Sequence, residues 1–99
     1  MVNAIRVHSE RLRLGDGVFA EIVIWRVPEP LRGSNHHFKY RLALIAEDVC
    51  VLRFDNEAGK GDHQHVGDKE FAYDFVGVDA LRRDFLLAAR GWLDRNPGH

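Results

Sequence analysis

The sequence predicts an α+β fold in which an antiparallel sheet of four to five strands packs against one carboxy-terminal helix. Through most of the chain, apolar residues alternate with polar ones at a period of two, which is typical of half-buried strands. Near the carboxy terminus the period changes to that of a helix, with an apolar stripe at spacings of 3, 4, 3 and 4: Val78, Leu81, Phe85, Ala88 and Trp92. The stripe and the apolar face of the sheet are expected to meet.

The composition bounds what the protein can be. The 99 residues, 45% hydrophobic and 29% charged, are expected to form a single domain over residues 1–99 with one core. A formal net charge of −1 argues against a non-specific nucleic-acid coat, which is usually strongly basic. We see neither a membrane helix nor a signal peptide, and we expect the single cysteine, Cys50, to be buried. These features predict a cytoplasmic protein without membrane association.

The first half of the chain predicts a hairpin followed by a loop. Apolar positions switch from odd to even within residues 4–14, which predicts a strand with a bulge near Ser9 and Glu10. A glycine-containing turn leads to a second strand at 18–27, apolar on both faces and therefore central. The following segment, Pro28-Glu29-Pro30, ends that strand because proline cannot donate to a ladder.

A second hairpin is predicted from residues 37–45 and 50–55. One register matches apolar with apolar and acid with base: Ala46 opposite Cys50, Leu44 opposite Leu52, Leu42 opposite Phe54, Arg41 opposite Asp55, and Lys39 opposite Glu57. This register leaves one face apolar and makes the other polar, with His37, Lys39, Arg41, Arg53, Asp55 and Glu57. A short fifth strand is predicted at 71–75.

Residues 51–65, which read V-L-R-F-D-N-E-A-G-K-G-D-H-Q-H, are the predicted functional centre. They begin as a strand and are expected to continue as a polar loop punctuated by two glycines. That loop, with the end of the strand before it, carries six side chains able to move protons or hold charge: Asp55, Glu57, Lys60, Asp62, His63 and His65. Loops that leave a rigid strand with such side chains are where function usually resides.

Metal-free phosphodiester cleavage fits these residues, because it needs a proton acceptor, a proton donor and cations. The candidate groups are His63, His65 and His37 for proton transfer, Lys60, Arg53 and Arg26 for charge, and Asp55 or Asp62 to orient an imidazole. If residues 62–65 are extended, His63 and His65 share one face with Cβ atoms ~7 Å apart and would bracket a phosphate.

Three other interpretations stay open at this point. Asp62, His63 and His65 are metal ligands by type, although no second spaced Cys or His pair accompanies them, so a structural zinc site is not expected. Backbone amides of Gly59-Lys60-Gly61 could approach a phosphate, but the segment is far from a phosphate-loop pattern. The segment could also be an ordinary surface loop.

Three segments resemble the TumE family, the toxins of bacterial type II toxin–antitoxin pairs. They are Trp25-Arg26-Val27-Pro28, residues 33–40 (G-S-N-H-H-F-K-Y) and the 51–65 run, and the resemblance extends from about residue 22 to residue 95. The positions that match the family run are Arg26, Lys39, Tyr40, Arg53, Asp55, Asn56, Gly59, Lys60, Gly61, Asp62, His63 and His65.

The resemblance implies a toxin that is held inactive by a helix-turn-helix antitoxin and acts on RNA. Together with the residue chemistry, it predicts a metal-independent endoribonuclease with the catalytic set His63, His65, Lys60, Arg53, Asp55 and Asp62. The substrate-binding set is Arg26, His37, Lys39, Tyr40 and Asn56, with no metal or cofactor. The alternative is a non-catalytic or group-transferring inhibitor of a nucleotide, RNA or protein target, and self-association into a homo-oligomer stays open. We expect the antitoxin to bind near the basic first 41 residues, which include Arg6, Arg11 and Arg13.

Overall fold

A six-stranded antiparallel sheet with one helix on one of its faces forms the structure, a computed structural model that describes residues 3–99. The elements in chain order are β1 (Ile5–Gly15), β2 (Val18–Arg26), β3 (Phe38–Ala46), β4 (Val49–Glu57), β5 (Gly61–Val66), β6 (Lys69–Ala72) and α1 (Val78–Arg95). The strands lie in the sheet in the same order as in the chain. The predicted α+β architecture is confirmed, with six strands rather than four to five. No helix in the described part of the chain is long and apolar enough to cross a membrane.

The additional strand comes from the segment predicted to be a polar loop. Residues 61–66 form β5, which pairs with β4 on one side and with β6 on the other. Pairing with both neighbours satisfies the backbone hydrogen-bonding groups of this segment. This stabilises a strand even though the segment contains few β-forming residues. The predicted fifth strand at 71–75 begins earlier and ends at Ala72.

The core lies between the sheet and α1. Its fully buried side chains come from alternate positions of the central strands and from one stripe of the helix: Val18, Ala20, Ile22 and Ile24 of β2, Leu42 and Leu44 of β3, and Leu81, Phe85 and Ala89 of α1. Leu52 and Phe54 of β4 complete it. The predicted central position of β2 and the apolar stripe of α1 are therefore confirmed.

The register of β3 against β4 is confirmed over most of its length. Leu44 lies opposite Leu52, Leu42 opposite Phe54, and Arg41 opposite Asp55. The predicted pairing of Ala46 with Cys50 is wrong, because an irregularity after Leu44 sets Ile45 opposite Cys50 and Ala46 opposite Val49. Cys50 is exposed rather than buried.

The predicted pairing of Lys39 with Glu57 does not form, because the side chain of Asn56 takes the place of the ladder there. Asn56 Oδ1 accepts a hydrogen bond from the Tyr40 backbone N–H at 2.9 Å, and Asn56 Nδ2 donates to the Phe38 carbonyl at 2.7 Å. The ladder between β3 and β4 thus ends at Arg41 and Asp55. A buried side-chain amide can satisfy backbone groups that no strand reaches.

The bulge predicted near Ser9 and Glu10 lies elsewhere. The register of β1 against β2 shifts between Arg6 and His8, and again between Arg13 and Gly15. The shift near Val7 turns Glu10 toward the helix side, opposite buried Ile22. The alternation of apolar and polar residues correctly predicted that the face of the apolar residues changes within β1. It misplaced the change because Glu10, a polar residue, faces the helix.

Glu10 is paired with the helix. Arg82 of α1 donates from Nε to Glu10 Oε1 at 2.9 Å and from its terminal nitrogen to Oε2 at 2.8 Å. His8 Nε2 lies 2.8 Å from Oε1 as well. The bonds from Arg82, and then that from His8, lower the pKa of the Glu10 carboxyl from 4.5 to about 2. This bidentate pair ties α1 to the edge strand β1.

Replacing Arg82 by alanine should lower the free energy of unfolding by about 1–2 kcal/mol at neutral pH. The Glu10 carboxylate is favoured by its partner, so its contribution is fully present above pH 4.5 and is lost as the pH falls toward 2. Urea unfolding of wild type and Arg82→Ala across this range should show the two converging in acid. The neighbouring Arg83→Ala, at an exposed position, is the control. An equal difference at neutral pH and at the acid end would contradict the assignment.

Candidate active site on the open face of the sheet

The sheet face opposite α1, here called the open face, collects most of the predicted reactive residues. Strand alternation and antiparallel pairing place Arg41 opposite Asp55, and Asp55 opposite His63. The next row places His65 between Arg53 and Glu70. Two neighbouring strands, β4 and β5, and the edge strand β6 therefore contribute to one cluster. We call it the Asp55 cluster: Arg53, Asp55, His63, His65 and Glu70.

The Asp55 carboxylate is the centre of this cluster. Its Oδ1 lies 2.8 Å from His63 Nε2 and 3.7 Å from His65 Nε2. Its Oδ2 lies 2.9 Å from Arg53 Nε. The Glu70 carboxylate closes the other side, with one oxygen 3.7 Å from His65 Nδ1 and the other 4.0 Å from His63 Nε2. Two imidazoles thus lie between two carboxylates.

The proton on the His63 ring can be placed from its partners. His63 is buried, with 4% of its surface exposed, and its Nδ1 lies 2.8 Å from the Gly61 carbonyl oxygen. A carbonyl only accepts, so Nδ1 carries a hydrogen and donates it. In the neutral ring, Nε2 then presents a lone pair toward Asp55.

His65 is the more accessible imidazole, with 20% of its side chain exposed. Burial, and next the neighbouring Arg53 guanidinium, lower the pKa of His65 below its usual value of 6.5. The neutral ring is therefore favoured. Its Nε2 is buried and has no hydrogen-bond partner among residues 3–99.

The extended conformation and shared face predicted for His63 and His65 are confirmed. The rings, however, contact one another edge to face, with centroids 4.6 Å apart. A phosphate does not fit between rings at that separation, so the predicted bracket is not formed. Both imidazoles instead converge on Asp55.

A cavity of about 290 Å³ adjoins the cluster where β3 and β4 separate around Asn56. Its lining includes the cations Lys39, Arg41 and Arg53, together with Asp55 and Glu57. Lys39 and Arg41 form no ion pair within the described residues, whereas Arg53 is paired with Asp55. Two cations beside the cluster are therefore available to an anionic ligand.

Asp62 does not belong to this cluster, contrary to the prediction. The alternation that puts His63 and His65 on the open face puts Asp62 on the helix side. There its carboxylate accepts from Ser34 Oγ at 2.7 Å, Tyr40 OH at 2.8 Å and His36 Nε2 at 2.7 Å. Asp62 joins the loop before β3 to β5, which is a structural role.

The predicted substrate ligands Tyr40 and Asn56 are also committed to the structure. Both are buried, and both line the cavity. The Tyr40 hydroxyl donates to Asp62, and burial followed by that carboxylate strongly raises its pKa. The Asn56 amide is used up by β3 and Ser34. These residues shape the cavity but have no free polar group to offer a substrate.

The other predicted residues lie away from the cluster. Lys60 is in the turn between β4 and β5, with Nζ 3.7 Å from Glu57. Arg26 lies over the Phe38 ring at 5.9 Å, and the exposed His37 has Nδ1 3.3 Å from the Val27 carbonyl. None of these three contacts the Asp55 cluster in the described part of the chain.

The glycines of the predicted phosphate-binding segment have a packing role. The Gly59 N–H donates to the Arg32 carbonyl, and the Lys60 N–H donates to the Glu57 carbonyl at 3.1 Å. At Gly61, where φ is 77°, a Cβ would lie 2.8 Å from the Gly33 carbonyl oxygen. Two loops touch here through their backbones, so the Gly59 and Lys60 amides are not available to a phosphate.

Glu70 was missed by the sequence analysis and Arg41 was left out of the predicted site. The signal for Glu70 was the Gly67-Asp68 turn, because a two-residue hairpin loop sets Val66 opposite Lys69 and therefore His65 opposite Glu70. The signal for Arg41 was its predicted pairing with Asp55.

The comparisons with known proteins decide the family. A family model described as Toxin TumE matches residues 3–93, nearly the whole chain. The chain belongs to the TumE toxin family.

Two further comparisons add little to this assignment. The large subunit of ribonucleoside-diphosphate reductase from Arabidopsis thaliana is 36% identical over 56 residues, which is 57% of this chain and 7% of that protein. The TumE chain thus corresponds to a small part of that subunit, and the match carries no assignment of activity. No solved structure matches.

Replacing Asp62 by alanine should cost stability, because one buried donor, Tyr40, and two half-buried donors, Ser34 and His36, lose their acceptor. Each unsatisfied donor costs about 1–3 kcal/mol, and relaxation of the loop reduces the sum, so we expect a loss of about 2–4 kcal/mol in urea unfolding. Asp68→Ala, at an exposed turn position, is the matched control and should change stability by less than about 0.5 kcal/mol. Equal stability of the two variants would show that Asp62 has no structural role.

Proposed function

We propose that this TumE toxin arrests growth as an endoribonuclease whose reactive centre is the Asp55 cluster with the adjoining cavity. The supporting observation is that the two imidazoles of the Asp55 cluster adjoin a cavity lined by three cations and by Asp55, on the sheet face opposite α1. RNA cleavage requires proton transfer and charge stabilisation in one place, and the cluster and the cavity together hold both kinds of group.

Cleavage by internal attack forms a bond between the 2′-oxygen and phosphorus and breaks the bond to the 5′-oxygen. The proton leaves the 2′-hydroxyl, and another proton reaches the departing 5′-oxygen. In this proposal Lys39 and Arg41, which line the cavity, hold the phosphate, and Arg53 keeps the Asp55 carboxylate in position. Two routes are open to the cluster: direct proton transfer by a ring nitrogen of the partly exposed His65, as expected from the sequence, or a metal-assisted reaction. Cleavage in EDTA separates them.

Non-catalytic inhibition is the second candidate function, and one observation favours it. His63 is almost completely buried and His65 is largely covered, so few reactive atoms reach solvent. A toxin that only occupies a nucleotide, RNA or protein site needs the cations of the cavity but not the imidazoles. The two candidates therefore differ in which residues growth arrest requires.

The antitoxin is proposed to be of the helix-turn-helix type and to bind near β1, in the basic first 41 residues. Arg6 lies over the Trp25 ring at 5.4 Å, and Arg11 lies over the Phe19 ring at 4.5 Å. Arg13 is paired with Asp16. Arginine and aromatic side chains are enriched in protein interfaces, which supports this location.

Mapping RNA ends after brief expression, with and without the antitoxin, tests the proposed reaction. New ends should appear with wild type and fall by ~100-fold or more with His65→Ala, since general acid–base groups contribute about that factor. His37→Ala is the control, because His37 is exposed and outside the cluster. An unchanged number of RNA ends with His65→Ala would refute the Asp55 cluster as the reactive centre. Growth arrest without any new RNA ends would favour non-catalytic inhibition.

Replacing Arg41 by alanine should weaken binding of a 2′-O-methyl RNA oligonucleotide and make it less dependent on salt. Each phosphate contact contributes about 0.7 to the slope of log affinity against log salt for single strands, so the slope should fall by about that amount. Arg90→Ala on the exposed side of α1 controls for net charge. If the salt dependence of binding is the same for Arg41→Ala and Arg90→Ala, Arg41 does not contact the phosphate.

A further inference from the structure

We propose that Asp55, His63 and His65 form a binding site for one divalent transition-metal ion of the Zn²⁺ class, with Glu70 as an adjacent fourth donor. Each of the three residues offers one ligand atom, and these atoms lie within 4.8 Å of one another. The inference rests on the cluster's own geometry and does not depend on the proposed cleavage of RNA. It departs from the metal-independent mechanism expected from the sequence.

The first argument concerns the lone pairs in the cluster. The Nδ1 hydrogen of His63 is donated to Gly61, so the neutral ring faces Asp55 with the lone pair of Nε2. Asp55 Oδ1 is only 2.8 Å away and carries lone pairs of its own. Two acceptors at that distance repel unless a positive centre, either a proton on Nε2 or a metal ion, lies between them. A proton would make this contact a hydrogen bond, but Oδ1 has no hydrogen-bond partner among residues 3–99, which favours the metal ion.

The second argument concerns His65. Its Nε2 is buried without a hydrogen-bond partner in the described residues and lies 3.7 Å from the same Oδ1. Leaving a buried polar atom unpaired costs about 1–3 kcal/mol, so two such atoms aimed at one point need a common explanation. One cation bound by Asp55, His63 and His65 satisfies all three atoms at once.

The separations are close to those that a metal requires. With bonds of ~2.0–2.1 Å, the ligands of a tetrahedral zinc ion lie about 3.3–3.4 Å apart. The separations from Asp55 Oδ1, 2.8 and 3.7 Å, fall on either side of that value. The three ligand atoms lie within 4.8 Å of one another, so binding an ion requires side-chain rotations that bring the more distant atoms closer.

The surroundings orient the ligands as metal sites usually require. His63 donates its Nδ1 hydrogen to a backbone carbonyl, and the second oxygen of Asp55 forms an ion pair with Arg53. Such partners fix the tautomer and the direction of a ligand. They also explain why the His63 imidazole is buried although its surroundings on the open face are polar.

The ligand types select the class of ion. Two imidazoles with one carboxylate suit zinc and neighbouring transition metals, whereas Mg²⁺ and Ca²⁺ prefer oxygen ligands throughout. Three protein ligands with a position left open are typical of reactive rather than structural zinc sites. Glu70, half exposed on β6, is near enough to fill or vacate that position.

Isothermal titration of the tag-free, chelator-treated protein with Zn²⁺ alone tests the proposal. We expect one ion per chain for wild type and an affinity lower by ~100-fold or more for His65→Ala. His65 is partly exposed, so this variant should fold, which urea unfolding will verify. His37→Ala should bind like wild type. Substituting Co²⁺ should give visible absorption bands that are lost in Asp55→Asn.

The outcomes separate the site from the function. No Zn²⁺ binding by wild type, equal binding by His65→Ala, or equal loss in His37→Ala would each overturn the proposal. If RNA ends appear while Zn²⁺ does not bind, the metal site is wrong and cleavage stands. If Zn²⁺ binds with the expected variant pattern and no RNA ends appear, the site stands and the endoribonuclease proposal fails.

Discussion

The pairing of β4 with β5 is the constraint on which the site depends. Asp55 and His63 face each other because six residues on each strand pair in one unbroken register. A shift by one residue would move His63 and His65 to the helix side and bring Asp62 onto the open face. The same register therefore assembles the cluster on one face of the sheet and secures the loop before β3 on the other.

The polar contacts on the helix side support the site from behind. Asp62 gathers the Ser34, His36 and Tyr40 side chains, and the ring of His36 stacks on Phe75 with centroids 3.8 Å apart. Asn56 completes this region by replacing the backbone ladder at the end of β3. Because the ladder is replaced by a side chain, the strands separate and the cavity beside the cluster opens. Buried polar groups with every partner in place are well suited to hold such an opening rigidly.

The sequence was a good guide wherever one physical signal acted alone. Alternation predicted that His63 and His65 share a face, and matching of charges predicted Arg41 opposite Asp55. It failed where two signals competed. Asp62 has the same chemistry as Asp55, and only the strand register tells which one meets the imidazoles. Residues 61–66 are poor strand formers by composition, and their conformation comes from pairing with β4, which a local pattern does not reveal.

The β6 strand gives the cluster an unequal boundary. It is four residues long, all of them exposed, and in the described structure it pairs with β5 alone. Short edge strands open at a lower free-energy cost than the strands inside a sheet. Glu70 can therefore leave the cluster by local fraying while Asp55, His63 and His65 stay fixed by β4 and β5. The cluster is therefore bounded by the fixed strands β4 and β5 on one side and by the easily opened strand β6 on the other. A molecule that binds the β6 edge acts on the cluster without entering it.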